Sequence, residues 1–329
     1  MASTPPPLVS VLTPVYNGEA TLRECIESVL AQTYRHWDYT IVNNASTDRT
    51  LAIARDYAAR DRRIRVHDNE TFARVIANHN IAFRQVSPDS KYCKVVAADD
   101  WLFPECLEKM VGLAEANPTV GIVGAYGLRG TRVEWTGLPY SSSVMPGREP
   151  CRLRLLSGRD VFGAPTSVLY RADIVRSREA FFNESNLHAD SEACFQVLQH
   201  CDFGFVHQVL TCRGEELEGS LGALAGNLGF HWTGAFAELV TYGPRYLTED
   251  ELRRRTRVEL RRYYQYLGRQ LYAGRNAQFW TLHREKLRAL GFPLSRVRVA
   301  FHAALCPVEL LLEPKWMVQK IGRMLRGRA

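Results

Sequence analysis

The sequence predicts an α/β fold: a Rossmann-like, mostly parallel sheet flanked by helices, followed by an α-helical, basic C-terminal extension. Three observations carry this. Short β-rich apolar runs alternate with segments of helical period over the first ~67 residues, the pattern of strands joined by crossover helices. Polar clusters follow several of those runs directly. From Thr248 onward strand-like runs give way to Arg-rich helical periodicity.

Residues 1–7 are a Pro-rich leader, expected to be disordered. L-V-S-V-L-T-P (8–14) is a compact strand, ended by Pro14 and a turn at Asn17-Gly18. Residues 20–32 are helical, with Leu22, Cys25, Ile26, Val29 and Leu30 on one face. A second strand (39–42) runs into Asn43-Asn44-Ala45-Ser46-Thr47-Asp48, and a helix follows over 49–60 with Thr47 or Asp48 as its N-cap. A third strand spans 64–67, and a helix about Phe72 to Gln85 leads to the apolar run Tyr92 to Ala98, which stops at Asp99-Asp100. Residues 104–116 place Cys106, Leu107, Met110, Val111 and Ala114 on one helical side, and 120–126 is a further strand. Gly-, Pro- and Ser-rich residues 127–158 read as loops and short strands. Later, 164–170 is strand-like, 171–177 begins a helix, 190–200 is a helix and 203–210 a strand. The Gly-rich segment 217–243 reads as helical with breaks.

The chain has 329 residues, 46% hydrophobic and 23% charged, ordinary globular values. Its formal charge of +7 is unevenly spread. Residues 245–329 hold 19 Lys/Arg against 7 Asp/Glu, and residues 1–244 hold 23 against 28. Such a basic block suits an anionic partner, or is a solvated helical face. The eight Cys show no metal-binding spacing. The N-terminus has no basic region or apolar core of a signal peptide, so a reduced, cytoplasmic setting is expected. No uninterrupted apolar run approaches the roughly 18 residues of a membrane span.

Thr13–Glu19, Asn43–Asp48 and Asp99-Asp100 each follow a predicted strand, so a parallel sheet gathers them at its carboxyl edge. Two acids at a strand end suit a hard cation and the phosphate oxygens it bridges; the plainer reading is a helix cap. Neither a P-loop nor a G-x-G-x-x-G after the first strand occurs. Trp101 reads as a sugar platform or a core residue. Asn78-His79-Asn80 reads as a nucleotide contact or as backbone support.

The opening V-S-V-L-T-P-V-Y-N-G-E-A-T-L-R-E-C-I-E-S-V-L-A-Q-T-Y, then S-T-D-R-T and A-D-D (98–100), resembles family 2 of the GT-A-type glycosyltransferases; Pro165-Thr166-Ser167 and H-A-D-S-E (188–192) resemble its acceptor-side segments. The resemblance covers residues 8–215. It implies a GT-A domain there, with a nucleotide-sugar half (8–126) and an acceptor half (127–215), before a helical, basic region at 216–329. It also implies that Thr13, Pro14, Tyr16 and Glu19 line the base and ribose pocket, with Asn43 and Ser46 near the base. Asp99 contacts the ribose, Asp100 coordinates Mg²⁺ or Mn²⁺ on the diphosphate, and Asp190 stands where the catalytic base stands. Asp190 also reads as a helix cap, with Glu192 as the reserve base. Two departures stand out: Asn43-Asn44 occupies the place of two common Asp, and no His follows Arg213 within a few residues.

The expected activity is metal-dependent, inverting transfer from a nucleotide-sugar to a glycan or lipid-linked acceptor, in surface polysaccharide synthesis. The basic region 245–329 is expected to lie peripherally on the inner face of a membrane, or to pack as a helical layer with solvated Arg. A catalytically silent nucleotide-sugar-binding module is the rival reading, supported by Asn43-Asn44. Nucleic-acid binding is not expected, since the Arg-rich helices carry no recognised motif. A nucleotidyltransferase would need a Gly-rich basic loop where P-V-Y-N-G-E stands.

Overall fold

A computed structural model describes residues 5–140, 142–214 and 228–312, with side chains given to residue 306. The chain divides into two compact units, Met1–Leu217 and Glu218–Ala329.

The first unit opens β1 (Val9–Val15), α1 (Leu22–Leu30), β2 (Trp37–Asn43), α2 (Thr50–Arg60), β3 (Ile64–Asp68), α3 (Val75–Phe83) and β4 (Tyr92–Val95). It continues with β5 (Asp100–Leu102), α4 (Cys106–Ala116), β6 (Val120–Arg129), β7 (Arg132–Glu134), β8 (Val144–Met145) and α5 (Arg148–Ser157). A 3-10 turn (Pro165–Ser167), β9 (Val168–Arg171), α6 (Ala172–Arg176), α7 (Ala189–Val197) and β10 (Asp202–Arg213) complete it. One ten-stranded sheet runs β3-β2-β1-β4-β9-β6-β10-β5, with β7 on β6 and β8 on β10. Strands β3, β2, β1 and β4 are mutually parallel, as are β6 and β10. Strand β9 lies antiparallel between β4 and β6.

Every residue of β1 is buried, as a central strand covered on both faces requires. Helix α1 buries Leu22, Cys25, Ile26 and Val29 against it, while Leu30 is only partly buried. Helix α4 buries the five residues its periodicity singles out. At about 1.5–3 kcal/mol for each large apolar side chain removed from water, these two faces anchor the helices on the sheet.

Several boundaries differ from the sequence reading, each for a physical reason. Helix α3 starts later because Asn44 draws Ala73 into a loop, and it ends at Phe83, past which Gln85 N closes a tighter turn on Ala82 O at 2.9 Å. Strand β4 stops at Val95, where the chain turns away. Helix α5 lies within the segment read as loops and short strands. Its buried residues, Pro150, Cys151 and Leu155, make too sparse a face to show as a period; left-handed Gly158 ends it. The run read as a strand from Ala164 begins instead with the 3-10 turn, since Pro165 has no N–H for a ladder. Strand β10 continues to Arg213 because β5 pairs with its end. At α2, Asp48 Oδ1 accepts from Thr50 N at 2.9 Å, although Arg49 is the boundary residue.

The second unit contains α8 (Phe230–Tyr246), α9 (Glu249–Tyr272), α10 (Ala277–Ala289) and α11 (Arg296–Leu312). Thr248 and Glu251 form a capping box at α9, and Asn276 caps α10. Phe236, Tyr263, Tyr264, Leu267, Phe279, Leu287 and Val299 make its core. Buried His283 joins that core, with Nδ1 2.6 Å from Tyr263 Oη and Nε2 3.1 Å from Leu228 O; burial pushes its pKa down to about 4, so it is neutral. Of segment 217–243, read as broken helix, residues 217–227 lie outside the described residues, and 230–243 belong to α8. Among the described residues, no helix is long and apolar enough to cross a membrane. All eight cysteines are free.

Candidate functional site

Strands β1, β2 and β4 end at one sheet edge. Val96 N still donates to Leu12 O at 2.9 Å, and then the chain leaves the sheet; Asp100 N closes a turn on Ala97 O at 2.9 Å. Residues 100–102 return as β5, with Arg213 opposite Asp100. The two carboxylates are therefore in different surroundings. Asp99 is exposed, whereas Asp100 is only 6% exposed. Asp100 Oδ1 accepts from Gly214 N at 3.2 Å, and its carboxyl is hydrogen-bonded to the Thr166 hydroxyl. Thr166 Oγ1 in turn accepts from Ala97 N at 3.0 Å. Burial pushes the Asp100 carboxyl up to about 6, with Thr166 opposing, Asp99 adding to it, and Arg213 and Gly214 opposing. Arg213 Nη1 lies 3.4 Å from Glu134 Oε2. Position 214 requires glycine, because a Cβ there would stand 2.1 Å from Asp99 O.

The loops after β1 and β2 are laced together. Asn17 N donates to Ser46 Oγ at 3.0 Å, Gly18 N to Thr50 Oγ1 at 2.8 Å, and Glu19 N to Asp48 Oδ2 at 3.0 Å. Glu19 Oε2 accepts from Arg49 N at 3.0 Å, so this carboxylate sits at the start of α2. Thr13 is fully buried with its hydroxyl 2.8 Å from Tyr39 Oη, and Pro14 is buried as well. Tyr16 is exposed and packs edge-on against exposed Phe72, ring centroids 4.8 Å apart. Asn43 and Asn44 are buried. Asn43 Nδ2 donates to Asp68 Oδ1 at 2.8 Å. Asn44 donates to Ala73 O and accepts from Ala73 N, both at 2.8 Å, and so fixes the loop that carries Phe72.

Asp190 lies in the first turn of α7, whose N-cap residue is His188. Its Oδ1 accepts from Ser191 N at 2.8 Å. Burial raises its pKa; Ser191, His188 and Arg154 pull the other way, and Asp160 adds to the rise. Glu192 accepts from Asn186 at 2.6 Å and from Asn183 at 3.2 Å, so its carboxylate holds a loop. Asp190 does not share hydrogen bonds with the Asp99-Asp100 pair. Segment 160–167 links their surroundings: Asp160 bonds Arg154 beside Asp190, and Thr166 bonds Asp100. Asn80 gives backbone support, exchanging hydrogen bonds with Phe182 O and N at 2.8 Å each. Trp101 is half-buried in β5.

A family model described as "Glycosyl transferase family 2" matches residues 10–178, just over half the chain. The chain belongs to glycosyl transferase family 2. EpsE of Bacillus subtilis, named as a glycosyltransferase, is 38% identical over 135 residues, which is 39% of this chain and 48% of EpsE. The uncharacterized glycosyltransferase YibD of Escherichia coli is 30% identical over 189 residues, 55% of this chain and 54% of YibD. The matches thus span about half the length of these two relatives. Among solved structures, S. aureus TarS 1-349 with UDP-GlcNAc superposes with a TM-score of 0.63 at 15% identity, over 90% of this chain and 87% of that one. The mannosyltransferase PcManGT of Pyrobaculum calidifontis, with GDP-Man and Mn²⁺, gives 0.55 at 15% identity, over 94% and 87%. These two share the GT-A fold with this family 2 chain.

A divalent ion fits the carboxylates of this family 2 domain. Among the described residues no three His, Cys, Asp or Glu side chains converge. An ion held by one or two carboxylates, with the remaining ligands from phosphate and water, needs no more than Asp99 and Asp100. Sequence reasoning missed Phe72, Lys94, Gly214 and the Thr166 hydroxyl as parts of this edge. Two left a signal: Lys94 as a charge inside the apolar run Y-C-K-V-V, and Thr166 within the Pro165-Thr166-Ser167 segment, though not as a partner of Asp100.

Gly214→Ala drives a methyl into the Asp99 carbonyl. It should cost about 1–3 kcal/mol, seen as a lower urea midpoint by circular dichroism. A midpoint equal to the parent's would show that the two backbones are not held together as described.

Proposed function

We propose that this chain is a metal-dependent, inverting glycosyltransferase. It moves a sugar from a nucleotide-sugar to a hydroxyl of a glycan or lipid-linked acceptor, in surface polysaccharide synthesis. The observation that carries the reading is the adjacent pair, exposed Asp99 and buried Asp100, at the carboxyl edge of a family 2 sheet, the edge at which β1 ends just before exposed Tyr16. Tyr16, the backbone at Thr13 and Pro14, Ser46 and Asn43 would bind base and ribose, with Glu19 bracing their loops from α2. Asp99 would meet the ribose, and Asp100 would hold Mg²⁺ or Mn²⁺. That ion, when bound, neutralises charge on the departing diphosphate.

Asp190 takes the proton of the acceptor hydroxyl as that oxygen bonds the anomeric carbon; the carbon–phosphate-oxygen bond breaks on the opposite face. Its burial supports this role, since a raised pKa makes an ionised carboxylate a better proton acceptor. The acid limb of the kcat profile should therefore fall at a pH above the usual carboxylate value of about 3.9. Asp190→Asn should lower kcat by about 100-fold or more and leave KM nearly unchanged. An unaltered kcat in that variant would remove Asp190 from the reaction.

A panel of nucleotide-sugars, each with Mn²⁺ and candidate glycan or lipid-linked acceptors, tests the whole reading through release of nucleoside diphosphate. Turnover by the parent and its loss in Asp100→Asn are expected. Binding without release for every donor would favour the silent module.

We also propose a cytoplasmic location with peripheral contact at the inner face of an anionic membrane. On α11, Val297, Phe301 and Leu305 are 79%, 59% and 37% exposed at helical spacing, and exposed Arg296 and Arg298 adjoin them. An apolar row with arginines beside it suits the headgroup boundary. Vesicles containing phosphatidylglycerol should sediment the protein, and Phe301→Glu should reduce the bound fraction severalfold. Equal sedimentation by neutral phosphatidylcholine vesicles would contradict the charge component.

A further inference from the structure

Lys94 lies in β4, six residues before Asp100, and is fully buried. A buried ammonium is rare unless its protons find acceptors. Here Nζ donates to Thr166 O and to Val168 O, the latter at 3.2 Å, and lies 3.8 Å from Met110 Sδ. Its partners are thus two carbonyls and a thioether.

The strand pairing explains why those carbonyls need it. Strand β4 pairs with β9 only from Tyr92 to Lys94, opposite Arg171 to Leu169. Beyond this, β4 turns toward the carboxylates and the other chain enters the 3-10 turn at Pro165–Ser167. The backbones part, and no ladder partner remains on that side for Thr166 O. Lys94 bridges the gap. Thr166 then acts on the carboxylate pair twice, since its hydroxyl accepts from Ala97 N at 3.0 Å and bonds the Asp100 carboxyl.

We propose that Lys94 is a positioning residue for the carboxylate pair: by fixing the Thr166 backbone, it sets where the Asp100 carboxylate stands and how tightly the pair holds a divalent cation on a nucleoside diphosphate. The inference rests on the transferase reading above. It differs from a purely structural role, in which Lys94 satisfies two carbonyls and contributes only to stability. Partners that orient a metal ligand typically change metal affinity by about 10- to 100-fold when removed.

The test is a Mn²⁺ titration of the full chain in the presence of UDP or GDP, by calorimetry, alongside a urea midpoint for each variant. Lys94→Met and Thr166→Val should each weaken Mn²⁺ binding by about tenfold or more. Thr166→Ser, which keeps the hydroxyl, should bind like the parent. The double variant Lys94→Met/Thr166→Val should bind no more weakly than the weaker single one, as two parts of one support do. Should Lys94→Met fail to fold, Lys94→Gln retains an N–H donor without the charge and is expected to fall between parent and Thr166→Val. A lowered urea midpoint with parental Mn²⁺ affinity in the Lys94 variants would overturn the proposal. So would strictly additive losses in the double variant. Absence of Mn²⁺–nucleotide binding by the parent itself would instead overturn the transferase reading on which the proposal stands.

Discussion

The parting of β4 from β9 is the constraint on which the site depends. Two strands that separate inside a sheet release carbonyls that must find other donors, because an unpaired buried carbonyl costs about 1–3 kcal/mol. The separation frees Ala97 to Asp100 to turn at the sheet edge, and it leaves Thr166 in a 3-10 turn instead of a ladder. Thr166, Gly214 and Lys94 are the groups that close the opening. The carboxylate pair is thus a product of how the sheet opens.

Much of this was legible in the sequence. The faces of α1 and α4 follow from helical spacing, and the carboxyl-edge clusters from the alternation of strands and helices. The support beneath Asp100 was not legible, because it is built from contacts 72 and 114 residues apart. No local pattern announces that Thr166 and Gly214 arrive beside one turn. Helix α5 was hidden for a different reason: three buried residues in ten leave no strong period. The role of Asn44 was hidden as well. Its amide reads as a substitute for an acid near a ligand, yet both of its ends are engaged with Ala73.

Charge counted along the sequence also differs from charge available at a surface. The basic second unit spends part of its excess internally. Arg253 pairs with Asp250 at 2.5 Å, and Arg255 and Arg262 meet Glu259 at 2.7 and 2.9 Å. Such pairs are worth little to stability when exposed, but they offset local charge. On α11, the arginines beside the exposed apolar row stand at Arg296 and Arg298, outside those pairs.

The amide at Asn44 has one more consequence. A carboxylate there would have tied the geometry of the Phe72 loop to its own protonation, whereas the amide both donates a hydrogen bond to Ala73 O and accepts one from Ala73 N without changing charge. The Asn44-held loop therefore keeps its anchor from weakly acidic to alkaline solution.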